Sequence, residues 1–210
     1  MPNWCFTHLT VSGPAQDIQR FADGLEAGKK EGNYSILDTY FPCPEDLNIT
    51  SGFFSDPEKQ AQMNALYAAN REKYGHESWY DWNITNYGSK WSDQFGEYDR
   101  DETDRYHVLR FQFDTAWSPI TEGIRFVSSL FPTLVFAMSY DEEAGFYVGA
   151  EVHKAGETLF FQQEEPPSPD QKDDEDDQDW YDRIEEAKHE ARWAIEEEAD
   201  KVEGRLLLAL

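Results

Sequence analysis

Residues 164 to 179 read EEPPSPDQKDDEDDQD, a stretch with three prolines, a run of acids and no apolar residue. Such a segment has nothing to bury, so it cannot offset the entropy of ordering itself. It divides the chain. A domain over residues 1 to 163 must build its core without it, and residues 180 to 210 remain as a separate piece. The spacing of Trp180, Ile184, Ala187, Ala191, Ile195, Val202 and Leu206 predicts that this piece is an amphipathic helix, with Asp179 as its N-cap. Its apolar stripe must be covered by its own sheet, by a second copy or by a partner.

Within the first piece, residues 4 to 12 alternate as a strand with apolar groups on both sides: Cys5, Thr7, Leu9 and Val11 oppose Trp4, Phe6, His8 and Thr10. Gly13-Pro14 breaks it, and Ile18, Phe21, Ala22 and Leu25 recur at helical spacing up to Gly28. Ser35 to Phe41 reads as a second extended piece, stopped by Pro42 and Pro44. Asp56-Pro57 opens an inserted helix that runs to Tyr74-Gly75. Residues 79 to 91, WYDWNITNYGSKW, fit neither period and are expected to be irregular or a short strand.

The pattern clears after Tyr106, where His107, Leu109, Phe111, Phe113 and Thr115 share one side and Arg110, Gln112 and Asp114 the other. A helix follows from Ser118-Pro119 to Phe131-Pro132, then a strand carrying Leu134, Phe136, Met138 and Tyr140. Phe146 to Val152 and Thr158 to Gln162 form a hairpin through Lys154-Ala155-Gly156. This order predicts an α+β protein: a ferredoxin-like split βαβ antiparallel sheet with an inserted helix and an added hairpin, then the acidic linker and the C-terminal amphipathic helix.

Charge decides which partners are admissible. The formal net charge is −25, from 43 acids against 18 bases; residues 164 to 210 hold 18 of those acids and 6 of those bases. That field opposes phosphate backbones and anionic membranes, so direct nucleic-acid binding is disfavoured and no membrane association is expected. Acidity either keeps the chain soluble or presents a surface to a basic partner. Cys5 and Cys43 lack CxxC or framework spacing, which predicts no disulfide or zinc site and a reducing cytoplasm. The opening residues carry no basic leader, and no run of 18 apolar residues occurs, so neither export nor insertion is expected.

Several segments resemble, in both identity and order, the YubB-type ferredoxin-like domain proteins of phages and conjugative plasmids. They are Asn3-Trp4 with Leu9-Thr10-Val11-Ser12-Gly13, Phe41-Pro42-Cys43-Pro44, Trp82, Asn86 to Trp91 (NYGSKW), Phe113 to Pro119 (FDTAWSP), and Phe131-Pro132 followed by Tyr140. The resemblance covers about residues 1 to 150, with Tyr87 standing where the family is expected to have Trp. It implies a ferredoxin-like fold and a mobile-element origin, and it transfers no catalytic residue.

A catalytic reading starts from His107, Asp114 and the Asp81/Lys90 neighbourhood, because acid–base work needs titratable groups converging in a pocket. His107 lies on the apolar side of its strand, which favours a structural histidine. There is no G-x-S-x-G, HExxH or P-loop, the histidines are scattered, and the acids at 173 to 177 lack the glycine of a calcium loop. No catalytic, cofactor or metal residue is therefore assigned.

The partner-binding candidates are Trp79, Asp81, Trp82, Tyr87, Trp91 and Asp93 from the aromatic segment, and Asp173, Asp174, Glu175, Asp176, Asp177 and Trp180 from the acidic one. The aromatic cluster, with Tyr80 and Trp117, suits either a second core or an exposed anchor patch. Ile184, Ala191, Ile195, Val202 and Leu206 are the docking or homodimer stripe. The resulting expectation is a protein that binds and inhibits a host nucleic-acid-handling defence complex, of restriction or CRISPR type, through acidic surface mimicking DNA. A self-assembling structural or regulatory module is the alternative.

Overall fold

A computed structural model describes residues 3–103, 105–172 and 175–209. Alternation in the chain becomes a six-stranded antiparallel sheet in the order β2-β3-β1-β4-β5-β6. Its strands are β1 (Trp4–Gly13), β2 (Asp99–Glu102), β3 (His107–Ala116), β4 (Val135–Glu142), β5 (Val148–Lys154) and β6 (Glu157–Glu164). The first four make the split βαβ arrangement, and the hairpin β5-β6 extends the sheet from β4, as the α+β, ferredoxin-like reading requires.

One face is covered by α1 (Ala15–Gly28), α2 (Ile36–Tyr40), α4 (Trp79–Asn86) and α5 (Thr121–Leu130). Ile18, Phe21 and Leu25 of α1, Leu37 of α2, Trp82 of α4 and Ile124 and Val127 of α5 meet Leu9, Val11, Phe111, Phe113, Phe136 and Met138 in one core. The inserted helix α3 (Pro57–Tyr74) begins with Pro57 after the N-cap Asp56 and ends at Gly75, whose φ of 78° only glycine adopts without strain. The opposite face is half covered. There α6 (Asp177–Leu208) lays Ile195 and Ala199 on Val135, Val148, Ala150 and Val152, with Ala191, Val202 and Leu206 packed around them.

Four local expectations need correction. Within residues 35 to 41, Ile36–Tyr40 are helical, because Ser35 as N-cap accepts the Asp38 amide at 2.9 Å and Asp93, distant in sequence, accepts the first two helical amides. The second strand of the split unit is instead Asp99–Glu102, which has no apolar residue and is held by its pairing to β3 and by Arg100 donating to Gln19 of α1 at 2.9 Å. Residues 79 to 86 form α4, started by a capping box between Ser78 and Asp81. The last helix begins at Asp177 with Asp176 as N-cap, accepting the Asp179 amide at 2.9 Å. Its early start has a physical cause: the Trp180 indole donates to the Pro169 carbonyl at 2.7 Å, and Arg183 binds Glu175 and the Asp170 carbonyl. These bonds give the acidic stretch partners that its own composition does not supply.

Candidate protein-binding site

The docking of α6 settles which side of the helix meets solvent. Lys188 and Arg192 turn toward the sheet and pair with the buried Asp141 of β4, Lys188 at 3.6 Å. Ser12 of β1 donates to Glu203 at 2.6 Å. With Lys188, Arg192 and the apolar stripe drawn inward, Asp179, Asp182, Glu186, Glu190 and Glu197 remain exposed at helical spacing on the outward face, Glu197 paired with the exposed Lys201 at 3.2 Å. Trp193 lies in the same ridge, 66% exposed. The acids span about 27 Å with a mean spacing of about 7 Å, widest at about 10 Å across Trp193, which is roughly half the axial charge density of a single B-DNA strand.

Beside the helix, the part of the sheet it leaves open forms a cleft of about 840 Å³. Trp4 and Trp91, with ring centroids 5.9 Å apart, make one wall; Gln112 and Asp114 of β3 make the floor; Glu185, Lys188 and Arg192 make the other wall. Partial burial raises the carboxyl of Asp114, and it lowers His8, where Arg192 acts in the same sense. Lys90 lies over Trp91 at 4.6 Å and over Trp117 at 5.0 Å. Trp117 is held at φ 71°, a strained value for a residue with a side chain, by its N–H donating to the Asn3 carbonyl at 2.9 Å and by the Tyr147 hydroxyl donating to its own carbonyl. Trp79 and Tyr80 line a second recess, of about 470 Å³, with Ser51, Lys90 and Trp91.

The candidates read from sequence divide accordingly. Trp91 is exposed and Trp79 half-buried, and the two share the recess beside Lys90. Trp82 and Tyr87 lie in the core, and Asp93 is fully buried, so none of the three presents a surface. Asp81 accepts the Ser78 and Glu77 amides at 2.8 Å and acts as a helix cap. Glu175 pairs with Arg183, which holds its carboxyl at about 2, and Asp176 is the N-cap of α6; Asp177 is exposed in the first turn and Trp180 half-buried. Asp173 and Asp174 lie outside the described residues. Ile195 is buried on the sheet, with Ile184, Ala191, Val202 and Leu206 half-buried along the same side.

His107 and Asp114 do not converge. They are seven residues apart on one strand, about 23 Å, and on opposite faces. The apolar stripe of α6 does not point to the outward ridge with Trp193, which lies on the opposite side of the helix. The signal was present: residues 100° apart in projection place 182, 186, 190, 193 and 197 together.

The family model described as "Ferredoxin-like domain in Api92-like protein" matches residues 87–199, from the end of α4 into α6. It overlaps the YubB-type resemblance only over about residues 87 to 150, and it takes in the hairpin, the acidic stretch and most of α6. Among solved structures, a crystal structure of the protein Api92 from Yersinia pseudotuberculosis is similar, with 11% identity and a TM-score of 0.47. The similarity covers 78% of this chain and 98% of that one. No curated protein matches the sequence. Among the described residues no helix is long and apolar enough to cross a membrane.

Proposed function

This chain belongs to the family of ferredoxin-like domains in Api92-like proteins, and we propose that it is a YubB-type binding protein of a phage or conjugative plasmid, acting in the host cytoplasm. Its target in this reading is a host nucleic-acid-handling defence complex of restriction or CRISPR kind, whose basic surface it occupies in place of DNA. The observation that carries the reading is the α6 ridge, where the exposed acids Asp179, Asp182, Glu186 and Glu190 lead to one exposed tryptophan, Trp193. Acids at that spacing supply the long-range attraction that phosphates supply, and an exposed indole supplies the anchor that interface energetics favour. The self-assembling alternative, with copies joined through the apolar stripe of α6, requires the helix to leave the sheet it packs on.

The test is a pull-down from host lysate at about 0.1 M and about 0.5 M salt, a span over which the screening length falls from about 10 Å to under 5 Å. Capture of a nucleic-acid-binding complex that weakens with salt, and its loss in the triple variant Asp182→Lys, Glu186→Lys, Glu190→Lys, is the expected result. Capture indifferent to charge reversal overturns the mimicry.

A further inference from the structure

The two edges of the sheet are built differently. At one edge, β2 is four charged residues, Asp99-Arg100-Asp101-Glu102, all exposed, a short charged edge of the kind that resists further pairing. At the other, β6 runs for eight residues, Glu157–Glu164, with no proline and no lysine or arginine. Leu159 is 46% and Phe161 59% exposed there, and β6 has a strand neighbour on only one side. Among the described residues, no backbone hydrogen bond from a turn or loop reaches its outer edge.

Register fixes which groups point outward. The Glu142 amide bonds to the Tyr147 carbonyl, so odd-numbered residues of β5 bond toward β4 and even-numbered ones toward β6. Ala150 pairs with Gln162 and Val148 with Glu164, which leaves the backbone N–H and C=O of Phe161 and Gln163 directed away from the sheet. An unpaired row of donors and acceptors of this kind, with a flanking aromatic, is a template for one more strand.

We propose that β6 is a strand-addition site for an extended basic peptide segment of another protein. Charge selects that occupant over a second copy. Glu157 opens the strand and Glu164-Glu165 close it. Antiparallel self-pairing would bring those carboxylates against each other on two bodies of net charge −25, whereas a strand with lysine or arginine near its ends meets them favourably. This site is separate from the α6 ridge and stands or falls without it.

The experiment titrates the full chain with a synthetic eight-residue peptide alternating valine and threonine, with a lysine at each end, and reads both affinity and amide hydrogen exchange. Saturable binding with new protection at the Phe161 and Gln163 amides is expected. Phe161→Pro removes an outward N–H without costing a ladder bond and should weaken binding about tenfold or more, whereas Phe161→Thr keeps the edge and should weaken it about threefold or less. Circular dichroism verifies that both variants fold. Equal losses in the two variants, or protection absent from β6, overturns strand addition. Self-association of the chain without peptide, abolished by Phe161→Pro, overturns the choice of occupant.

Discussion

Replacing Asp93 with asparagine changes one atom in the interior and should cost about 1–3 kcal/mol. The carboxylate is fully buried and accepts three hydrogen bonds: from the Ile36 amide at 2.6 Å, the Leu37 amide at 3.0 Å and the Ser35 hydroxyl at 3.2 Å. The two amides begin α2, a five-residue helix that no propensity can sustain alone, and amides in a first turn have no partner inside the helix. Asparagine keeps one acceptor oxygen and turns an NH₂ toward a donor, so one buried N–H is orphaned. Alanine orphans all three donors and should cost about 3–5 kcal/mol.

The same residue sets a pH dependence. Burial raises the Asp93 carboxyl from 3.8 to about 6, against the lowering effect of its hydrogen bonds. A folded-state pKa above the unfolded value contributes stability that is fully present below the unfolded pKa and lost as pH rises through about 6. The gap between wild type and Asp93→Asn should therefore widen by about 1 kcal/mol on going from about pH 7.5 to about pH 5. Urea unfolding of both proteins across that range, followed by tryptophan fluorescence, measures it. A gap that stays flat or narrows with acidification would refute the reasoning, as would an asparagine variant as stable as wild type.

Gly149→Ala places a methyl 2.7 Å from the ring of the buried Tyr140 and should destabilise by about 1–3 kcal/mol in thermal melts, with loss of the near-ultraviolet tyrosine signal. Ile195→Ala removes the most buried anchor of α6 and should cost about 3 kcal/mol, read as faster hydrogen exchange in α6 and in β5 beneath it. Asp81→Ala strips the capping box of α4 and should cost about 1 kcal/mol by urea midpoint. Burial raises the carboxyl of Glu203, so its ionisation opposes the docking of α6 as pH rises. Glu203→Gln, which still accepts from Ser12, should protect α6 amides at neutral pH and lose that advantage on acidification.

Wherever a segment's own residues supply both the pattern and the cap, its structure was legible in the chain. The alternations of β1, β3 and β4, the Ala155-Gly156 hairpin, the Asp56-Pro57 start of α3 and the apolar stripe of α6 are all of this kind. The tertiary structure decided the rest. Asp93 makes α2 a helix from 56 residues beyond Leu37, β3 makes a strand of the wholly charged β2, and the sheet chooses which side of α6 is hidden. Sequence periodicity reports which side chains gain by leaving water, because that depends on local geometry. It does not report what covers them or which edge is left bare, since those depend on hydrogen-bond and packing partners that only the folded chain brings together.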